Sequence, residues 1–91
     1  MSERPWFLYL IECKGGSLYA GITVDVARRY AQHAGGKGAR YTRSHPPLRL
    51  AAVLCCEDRS EALRAEFALK RLDVAGKREF CRLNPPPATS N

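Results

Sequence analysis

The chain's 91 residues suffice for one compact domain with a small core and leave no length for a separate catalytic module. Its 15 Lys and Arg exceed 9 Asp and Glu, for a formal net charge of +6, while no apolar stretch approaches the roughly 20 residues of a membrane span. The opening MSERPW lacks a signal-peptide pattern, and Cys13, Cys55, Cys56 and Cys81 show no CxxC spacing, so a soluble cytoplasmic protein with reduced thiols is expected.

In chain order, PWFLYLIEC is a strand that begins after Pro5, KGGS is a turn, and SLYAGIT is a second short strand. The two pair as an antiparallel hairpin whose register the Gly15 and Gly16 pair leaves open. From Val24 the period becomes helical. Val24, Ala27, Ala31 and Ala34 line one side, Thr23 is the expected cap, Asp25 favours the first turn, and Gly35 with Gly36 ends the helix. GGKGARYTRSHPP is a loop, long for so small a domain. LRLAAVLCC is a strand in which Cys55 and Cys56 point to opposite faces, and Asp58 with Glu61 forms a capping box for the next helix. Asp73 to Gly76 breaks that helix, and a short final helix lies near Lys77 to Leu83. The expected fold is α+β, a small three-stranded antiparallel sheet flanked by helices in the order β-β-α-β-α with a final short helix. Residues 1–84 form its single domain and 85–91 a flexible C-terminal tail.

The second of the longer helices holds ALRAEFALK, residues 62 to 70. About 100° of rotation per residue puts Ala62 and Leu69 on one side of Glu66 and Leu63 and Phe67 on the other. Glu66 therefore sits inside an apolar arc, where a carboxylate needs a partner. The positive charge is also unevenly placed. Between Val26 and Cys56 there is no acidic residue, while Arg28, Arg29, Lys37, Arg40, Arg43 and Arg49 supply six cations, and the rest of the chain balances nine against nine. Interleaved with Tyr30, Tyr41 and His45, this segment reads as a polyanion footprint, with Arg28, Lys37, Arg40, Tyr41 and Arg43 as the candidate nucleic-acid contacts. Arg29 and His33 lie one turn apart on one helix face. Tyr19 and Gly21 share a strand face, and a glycine there admits a close approach to the backbone. An arginine, a histidine, tyrosines and a half-buried glutamate thus converge where sheet meets helices.

This ordered set resembles the GIY-YIG nuclease superfamily. Phe7, Leu8 and Tyr9 stand at the GIY triplet, where the tyrosine survives, and Tyr19, Ala20 and Gly21 stand at the YIG triplet, which keeps both ends. The ten-residue interval between the tyrosines fits, as does Arg29 ten residues beyond Tyr19, and His33 one turn further. Glu66 occupies the place of the family's metal ligand on the next helix. The likeness runs from about Phe7 to Lys77, and GKGARYTR followed by PLRL is similar to the small standalone bacterial branch. Ile22 follows the second triplet where some repair members carry lysine, and Asn84 is the one downstream candidate for an asparagine that the family often carries.

The resemblance implies a metal-dependent DNA endonuclease. Glu66 would hold one Mg²⁺ or Mn²⁺, and Arg29 would grip the scissile phosphate. Tyr19, with Tyr9 as its partner, would orient and deprotonate water, and His33 would relay the proton or bind phosphate. DNA is the implied partner, with no membrane and no small-molecule cofactor. With no further recognition element, little sequence specificity is expected, and one small active surface favours single-stranded or branched DNA. Each residue also has a structural explanation: strand aromatics for the tyrosines, a solvated helix edge for Arg29 and His33, and an ion pair with Arg28, Arg43 or Arg49 for Glu66. The alternative function is a non-catalytic nucleic-acid binding module, since Gly35, Gly36, Lys37 and Gly38 fit the GXXG loop of KH domains. That loop should separate two helices, and Arg40 to Pro47 lacks a helical pattern. A third alternative is a domain whose basic loop contacts an acidic protein.

Overall fold

The computed structural model describes residues 4–87, so residues 88–91 of the expected C-terminal tail lie outside the described residues. Strand β1 (Trp6–Cys13) is central, flanked by β2 (Leu18–Thr23) and β3 (Pro47–Cys56) in an antiparallel sheet of order β2-β1-β3. The α+β architecture read from the sequence is therefore the observed one. β1 is apolar almost without alternation because both its faces are covered. Leu8 and Leu10 pack with Ala20, Ala51, Ala52 and Leu69 on one side, while Tyr9, Ile11 and Cys13 pack near Val26, Tyr30 and Leu50 on the other. The hairpin turn is closed by Gly15 and Gly16 at φ +96° and +92°, a left-handed conformation that glycine adopts without steric penalty. The register they left open is fixed as Tyr9 opposite Gly21 and Ile11 opposite Tyr19.

Helix α1 (Val26–Ala34) begins two residues later than the period suggests. Asp25, rather than Thr23, is its cap, accepting from the Arg28 amide at 3.0 Å, while Thr23 Oγ1 accepts from the Asp25 amide at 3.1 Å. The buried stripe also differs. Val26, Tyr30 and His33 face the sheet, and Ala27, Ala31 and Ala34 are exposed. Alanine is compatible with either face, so the larger side chains decided the orientation. The expected loop contains a short helix, α2 (Arg40–Ser44), which overturns the non-helical reading of that segment.

Helix α3 (Arg59–Lys70) starts at the expected cap, with Asp58 accepting from the Glu61 amide at 2.8 Å. Helix α4 (Val74–Leu83) is capped by Asp73. Asn84 ends α4. Its amide group donates to the Phe80 carbonyl at 3.0 Å and its own carbonyl accepts from the Val53 amide at 3.0 Å, which is a capping role. All four cysteines are free, with Cys55 exposed and Cys56 buried as strand alternation requires. Burial raises the thiols of Cys13, Cys56 and Cys81 above their ordinary range, which suits inert packing groups. Among the described residues, no helix is long and apolar enough to cross a membrane.

Candidate active site

Tyr9 projects from the central strand with its ring lying over Gly21 of β2. A Cβ at Gly21 would stand 2.4 Å from the Tyr9 hydroxyl, so only glycine leaves room for the ring. Tyr9 is 2 % exposed, and its hydroxyl meets Nε2 of His33 at 3.0 Å. His33 is 1 % exposed, in the last turn of α1, and is not the solvated helix edge that its sequence context allowed. The Gly-rich loop closes over it, for a Cβ at Gly38 would meet His33 Nδ1 at 2.2 Å. That nitrogen lies 2.8 Å from Oγ1 of Thr42, a buried residue of α2 that the sequence reading did not select. Gly38 and Thr42 fall within the GKGARYTR stretch, but no periodic pattern links positions nine apart across a loop and a helix start, so nothing in the sequence paired either of them with His33.

The electrostatics follow from burial. Desolvation raises the Tyr9 phenol above its ordinary value, opposed by the neighbouring Arg29 guanidinium and reinforced by Tyr19 and Glu66. Desolvation, and then the Arg29 charge, lowers His33. Arg29, Tyr19 and Glu66 thus each act on Tyr9, and His33 touches both tyrosines, although these residues come from two strands and two helices. Arg29 is half-buried and donates to Gln32 Oε1 at 2.8 Å.

Glu66 answers to a different partner from those expected. Its Oε2 pairs with Lys70 at 3.1 Å, one helical turn along, and not with Arg28, Arg43 or Arg49; Arg49 instead pairs with Glu12 at 2.9 Å. In α3, Ala62 and Leu69 are buried and Ala65 is partly buried, while Leu63 and Phe67 are exposed, so Glu66 marks the rim of the core. Small alanines let α3 approach the sheet on that side alone, and Phe67 turns outward beneath the Arg71 guanidinium, 5.7 Å from the ring centre. The Glu66 side chain is 18 % exposed. No described residue bonds its Oε1, and no buried side-chain oxygen among the described residues lacks a partner, so this oxygen reaches the surface. Among the described residues, no three His, Cys, Asp or Glu side chains converge into a metal cluster. A single open carboxylate oxygen does fit a hard divalent ion that completes its shell with water and phosphate oxygens.

From His33 a file of rings leads outward. Tyr19 meets His33 edge-on at 5.3 Å, Tyr41 lies nearly parallel to Tyr19 at 5.9 Å, and His45 stacks on Tyr41 at 4.3 Å. The Tyr41 hydroxyl donates to Ser17 Oγ at 2.6 Å, which fixes its ring. Beside the file, Tyr19, Tyr41, Lys70 and Lys77 line an open cavity of about 340 Å³. Arg28, Lys37, Arg40, Tyr41 and Arg43 are all exposed, and none of these four cations makes an ion pair with a described residue. Tyr30, by contrast, packs against the sheet.

The profile of the family described as the GIY-YIG catalytic domain matches residues 5–79. A UPF0213 protein from Cupriavidus pinatubonensis is 56% identical over 87 residues, spanning 96% of this chain and 97% of the relative. Another, from Xanthomonas axonopodis pv. citri, is 50% identical over 82 residues, spanning 90% of this chain and 80% of the relative. Two solution NMR structures are similar. A UPF0213 protein from Bacillus halodurans has a TM-score of 0.57 at 42% identity, covering 90% of this chain and 88% of that one. A protein from E. faecalis has a TM-score of 0.61 at 33% identity, covering 91% and 90%.

Proposed function

The chain belongs to the GIY-YIG nuclease superfamily, and from that membership we propose that it is a divalent-metal-dependent endonuclease that hydrolyses phosphodiester bonds in single-stranded or branched DNA with little sequence preference. The observation that carries this reading is the buried Tyr9–His33 hydrogen bond, placed within electrostatic reach of Arg29, Tyr19 and Glu66.

Glu66 would hold the divalent ion through its carboxylate. When bound, Mg²⁺ or Mn²⁺ would supply Lewis-acid charge to the reacting phosphate. Arg29 presents its planar donor fork to a non-bridging phosphate oxygen. Tyr19, half-buried on the open side, orients the attacking water. We assign the base role to Tyr9, in place of Tyr19, because its hydroxyl is the one bonded to a proton acceptor. As water forms its bond to phosphorus, its proton passes to the Tyr9 oxygen and the phenol proton passes to His33 Nε2. The phosphorus–oxygen bond to the leaving strand breaks, and the departing oxygen is protonated from solvent.

The proton steps are coupled to attack and do not precede it. Ordinary phenol and imidazole values near 10 and 6.5 already make transfer from Tyr to His about 5 kcal/mol uphill, and burial widens that gap from both ends. A standing phenolate–imidazolium pair is therefore sparse. The route becomes useful only as charge builds on the phosphate.

The exposed cations and the Tyr19–Tyr41–His45 rings support the substrate class, with phosphates on the cations and unpaired bases on the rings. The non-catalytic alternative keeps one observation in its favour, namely that α2 places the GXXG loop between two helices. Incubating the protein with labelled single-stranded, forked and duplex DNA, with Mn²⁺, Mg²⁺ or chelator, separates the two. Metal-dependent cutting of single-stranded or forked DNA is expected. Salt-sensitive binding without product would favour the binding module, and equal cutting of an intact blunt duplex by monomer would overturn the substrate class.

A further inference from the structure

Thr42 holds the end of a hydrogen-bond chain whose direction is determined by counting protons. Its Oγ1 lies 2.9 Å from the carbonyl oxygen of Ala39 and 2.8 Å from His33 Nδ1. A carbonyl only accepts, so the single hydroxyl proton of Thr42 is committed to Ala39. The hydroxyl must then accept from His33, which places the imidazole proton on Nδ1. Nε2 is left with its lone pair facing the Tyr9 hydroxyl at 3.0 Å, and Tyr9 is the donor in that bond. The opposite tautomer would require Thr42 to turn its proton away from Ala39, forfeiting one partly buried hydrogen bond and a population preference of roughly fivefold.

We propose that Thr42 is a positioning residue that fixes His33 as the Nδ1–H tautomer, so that Nε2 is the acceptor for the Tyr9 proton. Its use in catalysis rests on the nuclease reading above, whereas the tautomer itself does not. The surroundings enforce the arrangement. Thr42 is 1 % exposed, and the backbone at Gly38 lies against the imidazole, so neither ring nor hydroxyl can readily turn. The five-residue helix that buries Thr42 also exposes Arg40, Tyr41 and Arg43, so the hydroxyl that sets the acceptor and the cations offered to DNA share one short helix.

Nitrogen-15 spectra of the histidine ring test this directly in the full chain at neutral pH, because protonated and bare ring nitrogens resonate far apart. Wild type is expected to show a bare Nε2 and a protonated Nδ1 at His33. Thr42→Val, nearly the same shape without the hydroxyl, should lose that pattern, and Thr42→Ser should restore it. A bare Nδ1 in wild type, or an unchanged pattern in Thr42→Val, overturns the proposal. The wild-type spectrum decides the tautomer even if the valine variant fails to fold. In cleavage assays Thr42→Val is expected to be about 10-fold slower, with the serine variant recovering most of the rate. If spectra behave as expected while no protein cuts DNA, the tautomer assignment is supported and the nuclease reading falls. Full-rate cutting by a Thr42→Val chain with an altered tautomer would end the positioning role and leave that reading intact.

Discussion

Replacing Gly21 with alanine probes how closely the chemistry depends on the position of Tyr9. The added Cβ would lie 2.4 Å from the Tyr9 hydroxyl oxygen and 2.7 Å from Cζ, whereas ordinary contact begins near 3.4 Å. The hydroxyl must therefore retreat by 1.0 Å (3.4 less 2.4). It has little freedom to do so: Tyr9 belongs to the central strand, its ring is buried, and its oxygen is bonded to His33. A displacement of that size in a reacting group costs about 100-fold in rate, while overpacking of a core costs roughly 1–3 kcal/mol in stability. Single-turnover cleavage of labelled single-stranded DNA with Mn²⁺, measured beside urea unfolding, reads both quantities. The expected result is a folded, moderately destabilised protein that cuts about 100-fold more slowly. A folded Gly21→Ala protein cutting within about twofold of wild type would refute the inference that the Tyr9 hydroxyl must sit where it does.

Tyr9→Phe keeps the ring and removes the proton route, so it is expected to lose about 100-fold in kcat, with Tyr19→Phe losing less; the reverse ranking would return the base role to Tyr19. Burial and then Arg29 hold His33 below its ordinary value near 6.5, so the imidazole stays neutral as pH falls through that value and the acid limb of kcat/KM should lie below it. The same depression links to stability: it is fully present above the unfolded-state value and is lost as pH falls through the folded-state value, because the unfolded chain gains its proton first. Urea midpoints measured from pH 7 downward should therefore fall more steeply for wild type than for His33→Asn, and parallel curves would contradict the shift. Arg40→Ala with Arg43→Ala should flatten the dependence of single-strand affinity on log salt by about 0.7 per lost phosphate contact, and an unchanged slope would place DNA on another face.

The placement of much of the candidate site was legible because its residues sit at periods that strands and helices impose. Tyr9 and Tyr19 lie on strands that composition identified, Arg29 and His33 are one turn apart, and Glu66 interrupts an apolar helix face. What could not be read was whatever depends on which side of an element meets the core. The alanines of α1 suited either face, and the sheet took Val26, Tyr30 and His33 instead. Leu63 and Phe67 have the hydropathy of core residues, yet α3 rests on its alanine side and leaves them in solvent. Thr42 and Gly38 act through contacts between a loop and a helix end, where no period exists to mark them. The Glu66–Lys70 pair, by contrast, has a spacing of four on a helix, which is a recognisable ion-pair signal in the sequence.

The role of Glu66 is tested most directly by comparing wild type with Glu66→Gln on labelled single-stranded DNA, with Mn²⁺, Mg²⁺ or chelator and with binding measured in parallel. If the carboxylate holds the divalent ion, wild type yields products only with metal, while the glutamine variant binds DNA with nearly wild-type affinity and yields none. Cleavage by Glu66→Gln at the wild-type rate would contradict that role and leave Glu66 as the ion-pair partner of Lys70 alone.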